Sequence, residues 1–168
     1  MLRLKVPFCM HRKGWFLILF CLAIGVRMSG WRLGFLLGAL LLASILLHEI
    51  SHLLTATLFR VPVYELGIKP AGAYIRRAPA RRRRDEILIA ASGPMVNLLI
   101  VIPLIFVPKL GYQIAMCNLV IGVVNLLPLP SSDGLRVLRN LAGLIPTGNP
   151  IPARTNGVPS QKEVGRVA

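Results

Sequence analysis

His48, Glu49 and His52 are the residues of this chain best suited to chemistry: two imidazoles four positions apart with a carboxylate between them, in the order H-E-x-x-H. Positions four apart share one face of a helix, so both rings can reach a single metal ion. Glu49 is set to act as general base on the water that such a metal activates, which is the chemistry of metal-assisted hydrolysis. The pattern follows Leu40, Leu41, Leu42, Ala43, Ser44, Ile45, Leu46 and Leu47. Ionisable groups are costly at membrane depth, so their presence there points to function.

A hydrolytic zinc needs a third protein ligand and one open position. Asp133 is the best candidate, because it follows the broken stretch Asn125-Leu126-Leu127-Pro128-Leu129-Pro130 and precedes Gly134, which permits close backbone approach. The same aspartate also reads as the N-cap of the helix after the prolines. Glu65, Glu86 and Glu163 are the alternatives, and none sits in a convincing helical site. Asn125 reads either as a helix-terminal cap or as a polar contact to substrate backbone or a developing oxyanion. Gly93-Pro94 and Asn97 read as packing features, since small residues let membrane helices approach. One Zn2+ ion is the expected cofactor. A di-iron centre would need more histidines than the three present.

These groups must be positioned by apolar helices. The first apolar run, 15–31, covers about 24 Å, which is short for a crossing. The second, 33–59, reaches about 40 Å and carries the two histidines. A third covers 87–107. A fourth begins near residue 111, weakens at Leu127-Pro128-Leu129-Pro130 and resumes after Asp133. Between the second and third, 61–75 is rich in β-branched and aromatic residues bounded by Gly and Pro, which predicts a short β-hairpin-like loop. The fold class expected is an all-α membrane protein, a polytopic bundle of about four transmembrane helices with a discontinuous last helix. Residues 1–145 form the one domain. Residues 146–168, with Pro150, Pro152 and Pro159, read as a disordered basic tail.

Composition agrees: 55% of the 168 residues are hydrophobic and the mean hydropathy is +0.67. The net charge of +14 does not imply nucleic acid, because the basic residues lie between apolar spans without interleaved aromatics. They read as contacts to anionic lipid and as topology signals. With both termini in the cytoplasm, the 20 Lys and Arg residues all lie inside except Arg27, Arg32 and Lys109. His48, twelve residues before Arg60, then lies about 18 Å into the membrane from its cytoplasmic side. Cys9, Cys21 and Cys117 are an odd number at scattered spacing and form neither a disulfide framework nor a zinc cluster.

Taken together, His48-Glu49-x-x-His52, Gly93-Pro94 with Asn97, and Asn125-x-x-Pro128-x-Pro130-x-x-Asp133-Gly134 resemble the site-2 protease family of intramembrane zinc metalloproteases. The likeness covers roughly residues 1–145 and is nearest to the compact stage IV sporulation FB type. It implies His48, His52 and Asp133 as zinc ligands and Glu49 as catalytic base. It also implies cleavage of a membrane-associated protein, such as a sigma-factor precursor or an anti-sigma factor, with a membrane regulatory partner. Ser51 stands where that family often has glycine, and Ser131, Ser132 and Leu135 depart from its usual residues around the aspartate. The alternative is a non-catalytic membrane scaffold or metal-binding protein that keeps the protease fold; it predicts that Glu49→Gln leaves the biological output unchanged.

Overall fold

The computed structural model describes residues 6–70, 72–108 and 110–143. The expected tail at 146–168 and Glu163 lie outside the described residues.

Apolar sequence without proline forms helix α1, Trp15–Leu58, interrupted at one residue. Gly30 has φ 67°, a conformation that side chains with a Cβ rarely adopt, and there the chain turns back on itself. The two arms, 15–29 and 31–58, lie in backbone contact. A Cβ on Gly25 would stand 2.1 Å from the Gly34 carbonyl oxygen, and one on Gly38 would stand 2.6 Å from the Leu22 Cα. Small residues at such a crossing let membrane helices gain dispersion contacts where no hydrophobic driving force acts. The apolar run expected to cross twice is therefore a tight helical hairpin. Its first arm spans about 22 Å and its second about 42 Å.

At one end of this hairpin sits a small sheet ordered β1-β2-β3. Strand β2, Val63–Lys69, pairs antiparallel with β3, Gly72–Arg77, as the predicted hairpin requires. The third strand, β1 at Phe8–Met10, was not part of that expectation. It runs parallel to β2 with Phe8 opposite Leu66 and Met10 opposite Ile68. Parallel partners need a long crossover, and the whole of α1 supplies it. Ile68 and Ala73 of the sheet join Leu17, Cys21 and Leu41 of both arms in one buried cluster.

Arg77, at the end of β3, makes a paired contact with Glu86: Nη2 to Oε1 at 2.6 Å and Nη1 to Oε2 at 2.9 Å. The Ala80 N–H donates to the same carboxylate at 2.9 Å. This lock ties the sheet to α2, Arg83–Leu104. The helix begins four residues before the apolar run, because Asp85 and Glu86 in its first turn complement the helix dipole beside Arg83 and Arg84. Helix α3, Leu110–Leu126, stops at the prolines, and α4, Asp133–Leu141, starts after them. Ser132 caps α4, accepting from Leu135 N–H at 3.1 Å. Ser131 before it has φ 68°. The last helix is thus discontinuous, as its sequence predicts. Two helices, Trp15–Leu58 and Arg83–Leu104, are long and apolar enough to cross a membrane.

Candidate metal centre

The second arm of α1 carries His48 and His52 one turn apart, both about 5% exposed. Their rings stand edge to face, at 84° with centroids 4.8 Å apart. Their Nε2 atoms lie 3.2 Å from each other. Asp133 enters from the first turn of α4 and places Oδ2 3.1 Å from each Nε2. The N-cap role that competed for Asp133 belongs to Ser132, so the aspartate side chain is left for the histidines.

The outer nitrogens decide what this triangle is. His48 Nδ1 is 2.7 Å from Asn97 Oδ1, and His52 Nδ1 is 2.6 Å from the Ile89 carbonyl. Both oxygens only accept, so each Nδ1 carries its proton and donates. The neutral rings then aim bare Nε2 lone pairs at one point together with a carboxylate oxygen. Three such atoms 3.1–3.2 Å apart repel one another unless a metal ion or a shared proton lies among them. Tetrahedral zinc with bonds of about 2.0–2.1 Å sets its ligand atoms about 3.3 Å apart. The donor set, its spacing and its orienting oxygens all fit one zinc ion with a position left open.

Two glycines make this approach possible. A Cβ on Gly93 would stand 2.4 Å from His52 Nε2 and 2.7 Å from His48 Nε2, so α2 can lie against the site only with glycine there. A Cβ on Gly134 would stand 1.9 Å from the Leu126 carbonyl oxygen, so α4 can start against the end of α3 only with glycine after the aspartate.

Glu49 is half-buried beside His48, with no hydrogen bond or ion pair among the described residues. Asn125, at the end of α3, donates to the Ile121 carbonyl in its own helix at 2.9 Å. Glu86 is committed to Arg77 and Ala80, and Glu65 accepts from the Tyr74 hydroxyl, so neither joins the metal site. The Glu65 carboxylate beside it, with some burial, pushes the Tyr74 phenol up to about 12.

Asn97 is the residue whose role the sequence reading missed. It is fully buried and orients His48, and Asn118 of α3 bonds to it in turn. A signal was present: amides inside apolar runs are disfavoured unless paired, and Gly93 and Asn97 share a helix face.

A family model described as peptidase family M50 matches residues 36–113, which contain His48, Glu49, His52, Gly93 and Asn97. A zinc metalloprotease of Methanocaldococcus jannaschii is 31% identical over 112 residues, 60% of this chain and 32% of that protein. A Synechocystis sp. protein is 28% identical over 166 residues, 86% of this chain and 43% of its own length. The chain therefore spans under half the length of these curated relatives. A solved structure, the site-2 protease from Methanocaldococcus jannaschii, superposes with a TM-score of 0.67 at 25% identity, covering 88% of this chain and 72% of that one. Over the segment that holds the paired histidines this chain matches peptidase family M50, and it is homologous to the site-2 protease whose fold it shares.

Proposed function

We propose that the chain is an intramembrane zinc endopeptidase that hydrolyses peptide bonds of a membrane-associated protein. The observation that carries this reading is the convergence of His48 Nε2, His52 Nε2 and Asp133 Oδ2 within 3.2 Å, with both Nδ1 protons spent on carbonyl oxygens. Zinc bound there supplies Lewis acidity, which polarises the scissile carbonyl and makes water acidic near neutral pH. His48 and His52 hold fixed tautomers for it, and Asp133 adds the negative charge that offsets the cation. Glu49, unpartnered and one residue from His48, takes the proton of the attacking water and returns it to the leaving amine. Asn125 is assigned the substrate backbone; turning its amide away from Ile121 frees the donor.

The reading extends to the whole molecule. About four apolar segments cross the bilayer, with both termini in the cytoplasm and the metal reached from that side, as the distribution of Lys and Arg supports. Anionic lipid is a partner: a cavity of about 710 Å³ is lined by Arg60, Arg81 and Arg82, which outnumber its one carboxylate, Asp85, and by the aromatic rings of Phe59 and Tyr64. The substrate class suggested by the resemblance is a sigma-factor precursor or an anti-sigma factor, held in check by a membrane regulatory protein.

The test compares wild type with Glu49→Gln in membranes. Both should contain one zinc per chain by metal analysis. Mass spectrometry should find membrane proteins cut by wild type and left intact by the variant, with a loss of about 10²-fold or more. A variant that retains full cleavage ends the proposal.

A further inference from the structure

Three backbone carbonyls on two helices set the polarity of a buried amide relay that ends at the metal site. Asn118, fully buried on α3, donates Nδ2 to the Ile114 carbonyl and to Ser44 Oγ, both at 2.9 Å. Ser44 Oγ in turn donates to the Leu40 carbonyl at 2.9 Å, so it must accept from Asn118. With its NH2 fixed in this way, Asn118 presents Oδ1 to Asn97, whose Nδ2 donates to it at 2.8 Å. The other hold on that NH2 is the Ser44 carbonyl, at a long 3.4 Å. Asn97 is thereby left with Oδ1 facing His48 Nδ1 at 2.7 Å.

We infer that Asn118, through Asn97, is a positioning residue that selects the His48 tautomer able to ligate metal. This rests on the reading of His48 as a ligand. If the Asn97 amide turned over, its NH2 would face His48 Nδ1, which would have to accept. The ring proton would then move to Nε2, the atom aimed at the metal, and the lone pair would be gone. The 2.8 Å bond that Asn97 donates to Asn118 Oδ1 is the shorter of the two that hold Asn97 against this rotation, so the choice of tautomer in α1 depends on a side chain of α3 that touches no ligand.

The experiment uses the full chain in detergent with histidine nitrogens labelled. In metal-free wild type, ¹⁵N shifts should report His48 protonated at Nδ1, and zinc should bind one per chain in competition with a chelator. Asn118→Leu should populate the Nε2-protonated form and weaken zinc binding about 10–100-fold, the usual range for losing an outer-shell partner. Asn118→Asp keeps an oxygen facing Asn97 and, as the neutral acid, a proton for Ile114 or Ser44, so it should stay within a few-fold of wild type and keep the Nδ1 form. Should Asn118→Leu fail to fold, Ser44→Ala removes one anchor of Asn118 and should cost zinc affinity several-fold with the same spectral change. Unchanged tautomer and affinity in the foldable variant, or a loss that Asn118→Asp shares, overturns the inference. Absence of zinc binding by wild type would instead overturn the metalloprotease reading itself.

Discussion

Gly93 sets the tightest tolerance in the molecule at the residue scale. Alanine there would put a methyl group 2.4 Å from His52 Nε2, in the space the ligand nitrogens face. Gly93→Ala should therefore lower zinc affinity at least tenfold while helix content by circular dichroism is kept, because the clash lies at the ring tips and not inside a helix. The third ligand is tested by Asp133→Ala, which should lose the metal, against Glu86→Ala, which should retain it because Glu86 is held by Arg77. The candidate donors His48 and His52 were legible in the sequence because a fixed four-residue spacing puts both on one helix face without knowledge of the fold. Asp133 was legible through the proline break that precedes it. Asn97 and Asn118 were not, because their meaning lies in contacts between helices far apart in sequence.

Among the elements, the sheet, the α1 hairpin and α2 are joined by few but specific contacts. The Arg77–Glu86 pair carries the link from β3 to α2, with side chains 6% and 15% exposed. Removing one partner strands a buried charge, so Arg77→Ala should cost about 3–5 kcal/mol, read as a fall in thermal midpoint. Replacing both, as Arg77→Met with Glu86→Leu, should recover most of that loss. Tyr74 gives a pH test on the same sheet. Its phenol is raised to about 12, so the stabilisation is fully present below the ordinary value near 10 and is lost as pH rises through about 12. An absorbance titration should show one tyrosinate forming late, and Glu65→Gln should bring it earlier. Helices and the β2–β3 hairpin were legible from apolar runs and from Gly and Pro placement. The pairing of β1 was not, because three residues carry little pattern and their partner lies more than fifty positions away.

Over the whole molecule, segments of α1, α2 and α4 meet at one buried cluster, His48, His52 and Asp133. The second arm of α1 supplies the two candidate histidine ligands, α2 supplies their outer acceptors, and the break between α3 and α4 lets Asp133 reach them. Cutting the hairpin crossing should disturb this assembly at a distance. Gly34→Leu would drive a side chain into the Val26 backbone, where even a Cβ stands 2.3 Å from its Cα. That variant should accumulate poorly in membranes, measured against Leu36→Ala on the exposed side of the same arm.

The unequal arms of that hairpin bear on the surrounding lipid. In the proposed topology an arm of about 22 Å crosses a hydrocarbon layer of about 30 Å, so acyl chains beside residues 15–29 would compress or the arm would draw its polar ends inward. Local thinning of this kind shortens the path along which water must travel to reach a recessed centre. If the proposed activity holds, turnover in reconstituted vesicles should accordingly rise as acyl chains are shortened from eighteen towards about fourteen carbons, a dependence set by bilayer elasticity rather than by any residue at the candidate metal centre.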